Sequence, residues 1–323
     1  LEKLAAKLLK YSNNDLDKIY FSGTSGSDCV DAAMKLSYQV HYDNGNKTKT
    51  SYITRVQSFN GVTLHALSIS DLPILKMYNG ILPKNIFKVS QHNPFTECKF
   101  DLKNKNCECG KKPQECMGKL KNETNEEYVN RCIKEIEDVI LECGPENICA
   151  FIGETQLGSL VGDVPPAKNY WSKIGELAKK YDIHIILDEV YCGMGRSGKL
   201  YNYSWDNFSP DFVCLSKSMT SGCAPMSAIL TKSKFEKIIA EGSGRINLGQ
   251  TFQGFSLGAA GCMEYMNILE DEMLLNRIIE KGEYMRSTLI NELESQDFFN
   301  NVRGRGYSFS LEHKTPNNPM FGI

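Results

Sequence analysis

The sequence predicts an α/β fold: a mostly parallel central sheet with helices on both faces, plus an incomplete smaller domain toward the C-terminus. Three observations carry this. Strand-like and helix-like runs alternate along most of the chain, and such alternation builds parallel sheets because each crossover needs a helix. At 323 residues and 41% hydrophobic content, the chain is long enough for a large core with a second unit beside it. The run Ile183–Leu187 also reads as a strand buried on both faces.

The elements follow in order. Leu1, Leu4, Leu8 and Leu9 form an apolar stripe at helical spacing, a helix that needs a surface to lie against. The strands are Lys18–Ser22, Ser51–Arg55, Ile148–Ile152, Ile183–Leu187, Phe212–Leu215 and Ser227–Thr231. Between them lie helices over Ser27–His41, Glu126–Glu142, Tyr170–Lys180 and Ser233–Ala240. From Leu257 to about Leu293 the pattern is helical with interleaved charge, so residues 1–262 are assigned to a large domain and 263–323 to a bridging helix and the smaller one.

Composition excludes several classes of function. A net charge of −2 and a pI near 6.3, with acids and bases balanced throughout, give nucleic acid no basic stripe to bind. No apolar run approaches the ~20 residues that span a bilayer, so no membrane role is expected. The twelve cysteines do not form the framework of a short secreted chain. Cys149 and Cys214 in strands and Cys262 in a helix read instead as small buried hydrophobes in a reducing, cytoplasmic setting. Cys98, Cys107, Cys109 and Cys116 form a tighter cluster, but zinc sites use C-x(2–4)-C pairs and the inner pair here is separated by one residue. A solvated insertion loop is the preferred reading, and no metal is expected.

The chemistry concentrates at two strand ends. Asp188 closes the run beginning at Asp182, and Lys217 stands 29 residues later, near the end of a run beginning at Asp211. A pyridine cofactor works as an electron sink only if an acid keeps its ring nitrogen protonated and an amine holds its aldehyde. Parallel strands can present both groups from one edge, where ligands gather. This is the layout of a pyridoxal 5'-phosphate site, with Lys217 and Asp188 as the catalytic pair. Gly26 and Ser27, opening a helix directly after a strand, add a place for a phosphate.

The flanking motifs sharpen the reading. Gly193-Met-Gly-Arg196-Ser-Gly198 follows the aspartate, Ser221-Gly-Cys-Ala-Pro-Met-Ser-Ala-Ile-Leu230 follows the lysine, and Gly249-Gln-Thr251-Phe-Gln-Gly254 and Val302-Arg-Gly-Arg-Gly306 lie downstream. Together they resemble the class III pyridoxal-phosphate-dependent aminotransferases, of fold type I. The resemblance runs from about Leu1 to Glu312 and weakens between about Thr96 and Lys121.

The resemblance implies a two-stage, ping-pong transfer of an amino group from an amine or amino acid to a 2-oxo acid. It implies that Phe59 stacks on the pyridine ring, that Val190 packs on the ring face and that Glu154 borders the substrate pocket. It also implies a homodimer in which Thr251 reaches the phosphate of the neighbouring subunit. Asn60 stands where the family commonly has histidine, Thr155 where it has proline, and Tyr191 where many relatives have glutamine near the cofactor's 3′-oxygen. An N-terminal segment that would complete the smaller domain is expected to be absent, so the chain reads as a fragment or a shortened form. Aminomutase, decarboxylase and racemase activities on the same constellation, and an inactive truncated paralogue acting as a binding protein, stay open at this point.

Overall fold

The computed structural model of the chain describes residues 1–12, 16–95, 97–98, 100–101, 106–107, 118–120, 122–158 and 160–314. Its first strands are β1 (Lys18–Gly23), β2 (Ser51–Arg55) and β3 (Ile86–Val89). Four two-residue strands follow, β4 (Glu97–Cys98), β5 (Phe100–Asp101), β6 (Asn106–Cys107) and β7 (Lys119–Leu120), and pair among themselves. Then come β8 (Ile148–Glu154), β9 (His184–Asp188), β10 (Phe212–Leu215) and β11 (Ser227–Thr231). The central sheet has the order β1-β11-β10-β9-β8-β2-β3. In it β11 alone runs against its neighbours, so the carboxyl ends of the other six strands share one edge.

Successive side chains of a strand face opposite layers, and here both layers are apolar. Phe212 and Cys214 of β10 join one cluster with Cys29, Val30, Ala33 and Met34 of α2 (Gly26–Asp43). Val213 and Leu215 join the other, with α4 (Asn125–Cys143) and α5 (Tyr170–Lys180). The expected sheet, covered on both faces, is present. Helix α4 starts where its sequence says it should: Thr124 and Glu127 form a reciprocal capping box, satisfying two amides of the first turn.

The N-terminal helix α1 (Glu2–Leu9) finds its surface. Leu4 and Leu8 are buried, and Lys7 and Tyr11 both reach Glu270 of α7 (Ser256–Asp271), at 2.9 and 2.6 Å. The long helical stretch is two helices, because Met273 takes a left-handed φ of +49° between α7 and α8 (Leu274–Leu293). Residue 262, the expected domain limit, falls within α7, whose Cys262, Met266 and Leu269 belong to the main core. Beyond α8, β12 (Phe299–Arg305) and β13 (Ser308–His313) form an antiparallel hairpin.

Among the elements not anticipated are β3, α3 (Leu64–Ile69), a short helix over Pro73–Tyr78 and the β12–β13 hairpin; the first three are too short to show a period. A further helix, α6 (Ser233–Glu241), lies where expected. Among the described residues no helix is long and apolar enough to cross a membrane. The side chains of Cys98, Cys107, Cys109 and Cys116 lie outside the described residues.

Candidate active site

Five strand ends converge at the carboxyl edge. After β1, Ser25 caps α2 by accepting the Asp28 amide at 3.2 Å, which leaves Gly26 and Ser27 in the first turn. A Cβ on Gly26 would meet Val190 Cγ1 at 2.6 Å, so glycine is what lets α2 approach the turn after β9. After β2 the chain runs through Phe59 and Asn60 to Gly61, whose φ of +138° suits glycine. There the Val62 amide donates to Ser27 Oγ at 3.0 Å, tying this loop to the start of α2.

The acids stand at the ends of β8 and β9. Glu154 and Asp188 are neighbours in parallel register. Asp188 is only 5% exposed, and it accepts from Asn60 Nδ2 at 2.9 Å and from the Val190 amide at 3.0 Å. Burial pushes its proton affinity up, while Asn60, the Val190 amide and the Lys217 charge hold it down. No cation lies within ion-pair distance of it among the described residues. Glu154 accepts from the amides of Gly158 (2.8 Å) and Phe59 (3.4 Å). Burial first, and then the neighbouring Asp188 charge, push Glu154 up to about 7.

Lys217 stands two residues past the end of β10, on a short helical turn, with a left-handed φ of +40°. That is a strained conformation for a lysine, and it turns the side chain out of the strand's direction. Its Nζ lies 5.4 Å from the centre of the Tyr191 ring. Asp188 does end its strand, as expected; Lys217 does not end its own.

One cleft is lined by Gly26, Ser27, Phe59, Asn60, Glu154, Asp188, Val190 and Lys217. Every site residue expected from sequence is therefore brought together except Thr251, which is exposed on a turn outside the cleft. The preceding Gln250 nevertheless binds the Ser22 carbonyl at the end of β1, at 3.0 Å. Gly158, Leu160 and Tyr191 also line the cleft. Gly158 and Leu160 carried no signal in the sequence beyond a glycine-bounded loop.

Beneath the cleft, Arg55 at the end of β2 is fully buried and donates to the Glu154 carbonyl and to His92 Nδ1. Glu189, next to Asp188 but turned the other way, accepts from Thr155 Oγ1 (2.9 Å) and from the amides of Asn202 and Tyr203 (both 2.6 Å). The threonine that replaces proline thus supplies a hydroxyl donor to a buried carboxylate.

Residues 1–321 match the family described as Aminotransferase class-III. The chain belongs to the class III aminotransferase family. An aminotransferase of Gibberella zeae is 31% identical over 315 residues, covering 96% of this chain and 57% of that protein. Gamma aminobutyrate transaminase 2 of Solanum lycopersicum is 29% identical over 324 residues, covering 98% of this chain and 66% of that one. Among solved structures, an (S)-enantioselective omega-transaminase from Thermomicrobium roseum superposes with a TM-score of 0.83 at 26% identity, covering 97% of this chain and 64% of that one. An omega transaminase variant from Pseudomonas jessenii gives 0.82 at 30% identity, covering 94% and 63%. The fold is that of the fold type I transaminases, and the chain spans 57% and 66% of the two curated relatives named.

The class III cleft fits the cofactor this family uses. Asp188 is a buried acid with neutral donors only, so a protonated ring nitrogen would complete its environment. Gly26 leaves its amide uncovered by a side chain at the start of a helix, as a phosphate requires.

Proposed function

We propose that this chain carries the cofactor site of a pyridoxal 5'-phosphate-dependent aminotransferase that moves an amino group from an amine or amino acid to a 2-oxo acid. The observation that carries the reading is the pairing, across one cleft, of the buried Asp188 with the amine of Lys217. In this reading Lys217 holds the cofactor's aldehyde, Asp188 its ring nitrogen, and Gly26 and Ser27 its phosphate. Phe59 and Val190 flank the ring, and Asn60 orients Asp188. When bound, pyridoxal phosphate supplies an electron sink for charge developing at the substrate carbon.

The residues then divide the work. The Lys217 amine, once free, takes the proton from the amino donor's Cα in one half-reaction and gives one to the 2-oxo acid's Cα in the other, a role suited to a flexible base and acid within reach. Asp188 holds the positive charge of the ring nitrogen in a site where water cannot screen it. Asn60, being neutral at every working pH, fixes Asp188 without competing for that charge. Glu154 borders the substrate, and with its affinity near 7 it exchanges a proton in the physiological range.

The relatives' names support the transaminase class and spread over several substrates, among them gamma aminobutyrate, vanillin and diaminobutyrate. The donor is accordingly proposed only as an amine or amino acid. A homodimer completes the reading, with Thr251 of one subunit at the phosphate of the other, as the resemblance to the family implies. The free thiols among the described residues support a reducing setting, cytoplasmic or mitochondrial. The division into residues 1–262 and 263–323 is retained as a proposal.

The test is an absorption spectrum of the purified protein with pyridoxal phosphate, followed on adding an amino donor in the absence of acceptor. The reading expects a visible band that shifts on donor addition and returns with a 2-oxo acid. A protein that takes up no cofactor, or a band unmoved by any donor, contradicts it.

A further inference from the structure

A buried cation lies under the cleft with no acid bonded to it. Arg55 closes β2 and is wholly buried, and among the described residues no carboxylate comes within ion-pair distance of it. Its bonded partners are neutral: Nη2 donates to the Glu154 carbonyl, and Nη1 donates to His92 Nδ1 at 2.6 Å. An arginine can only donate, so His92 meets it with an unprotonated ring nitrogen. Burial first, and then the Arg55 charge, hold His92 well below its ordinary proton affinity, which keeps the ring neutral. Burying a guanidinium on such terms is costly unless an opposite charge lies close by.

The strand beside it is shaped to receive it. Gly153, one residue before Glu154, leaves room for the guanidinium: a Cβ there would meet Arg55 Nη2 at 2.7 Å and Cζ at 3.0 Å. The Trp171 ring centre lies 5.4 Å from Arg55 Cζ, a cation–π contact inside the core. The same indole donates from Nε1 to the Thr155 carbonyl at 3.0 Å. Arg55 and Trp171 thus hold two successive carbonyls, those of Glu154 and Thr155, where β8 enters the cleft. Covalent geometry keeps a glutamate's carboxyl within about 6 Å of its own carbonyl. The guanidinium charge therefore acts on the Glu154 carboxyl from close by, through packed protein instead of water. Around that carboxyl stand Asp188 at the end of β9, Lys217 and Tyr191 in the wall of the cleft, and Arg55 from the layer that holds Trp171. Burial, and then the Asp188 charge, raise the proton affinity of Glu154, and the Arg55 charge leads the influences that lower it.

We infer that Arg55 is a positioning residue for the substrate side of the cleft: it fixes the end of β8 through the Glu154 carbonyl and sets a fixed positive charge behind that residue's carboxyl. In naming the substrate the inference rests on the function proposed above; in its geometry it does not. Arg55→Met removes both the charge and the donors, whereas Arg55→Lys keeps the charge and loses the planar fork.

The experiment is a carbon-13 NMR titration of the Glu154 side-chain carboxyl in cofactor-free protein, with the resonance assigned by its loss in Glu154→Gln. The midpoint in Arg55→Met should rise by about one pH unit over wild type, the scale of losing one nearby opposite charge. Arg55→Lys should return most of that shift. A midpoint shared by wild type and Arg55→Met, or equal rises in the Met and Lys variants, overturns the inference, whatever the melting temperatures do. If Arg55→Met does not fold, Gly153→Ala pushes the guanidinium away from Glu154 while leaving its charge in the chain. It should raise the midpoint in the same direction, and an unmoved midpoint is then the contrary result. Pyridoxal phosphate titration of the wild type separates the two proposals. A chain that takes up no cofactor sinks the function and leaves the Glu154 midpoint to judge Arg55.

Discussion

The two edges of the central sheet bury charge in opposite ways. At the amino edge, Lys49 is buried but surrounds its ammonium with the carbonyls of Pro145, Ile148, Tyr181 and Asp182, at 2.8 to 3.3 Å. Nearby, His41 and His184 stack with ring centres 3.8 Å apart, one bonded to the Cys149 carbonyl and the other to Ser37. At the carboxyl edge, Asp188 and Glu154 are as deeply buried but have only neutral donors and face open space. Glu189 is the internal control: adjacent to Asp188 in sequence, it turns inward and collects three donors. A buried charge whose partners are all internal serves the fold. One that is left short of a counter-charge at a cleft is set up to receive one from a ligand.

That contrast is broken most directly by exchanging stability for function. Lys217→Ala should reduce transamination by about 10³-fold or more, the scale of losing a nucleophile and proton carrier, with an unchanged melting temperature. Asp188→Asn should keep the cofactor and lose most turnover, with stability unchanged or raised because a poorly compensated buried charge has gone. Turnover within a few-fold of wild type would make Asp188 a turn cap and no more. Lys49→Met should do the reverse, destabilising the chain by about 3 kcal/mol because the carbonyls lose their donor, while cofactor affinity is kept. Urea unfolding beside cofactor titration reads both.

Acidity sharpens the comparison, because the edges respond with opposite signs. Burial holds both histidines below their ordinary 6.5, so the folded chain stays neutral where the unfolded chain takes up protons. Their contribution is lost as pH falls below 6.5. Glu154 and Glu189 are raised from 4.5 to about 7, so their contribution is present at low pH and lost as pH rises through that window. Each group changes stability by at most about 1.4 kcal/mol per pH unit. Between pH 6.5 and 5.5, His184→Gln should therefore flatten the acid side of the stability curve, and Glu189→Gln should steepen it. Identical curves for the two variants would remove the distinction between the edges.

The smallest expected effect concerns the proposed subunit contact. Thr251→Ala should weaken cofactor retention several-fold, the scale of one hydrogen bond to a charged group. Mixed with Lys217→Ala chains, it should give heterodimers with one sound site in two. Sedimentation showing a monomer that binds one cofactor per chain would rule out the shared site.

Much of this was legible in the sequence where a local rule acts alone. Ile183–Leu187 and Phe212–Leu215 read as buried strands because both of their faces are apolar, and Asp188 and Lys217 because their neighbours form a recognisable family pattern. The hidden parts depend on distant partners. Thr155 reads as a simple departure until β9 brings Glu189 to its hydroxyl, and Asp163 as loop sequence until the hairpin supplies two serines. Glu270-Asp-Glu-Met273 holds no glycine or proline, yet the chain turns left-handed at Met273; the structure offers no local reason.

The central claim is that the open charge at the carboxyl edge is a cofactor site built on Lys217 and Asp188. Borohydride reduction of the protein with pyridoxal phosphate, followed by peptide mapping, tests it most directly. The account predicts a stable pyridoxyl group on Lys217, about one per chain, and none there in Lys217→Ala. Label spread over surface lysines, or retained in full by the variant, would contradict it.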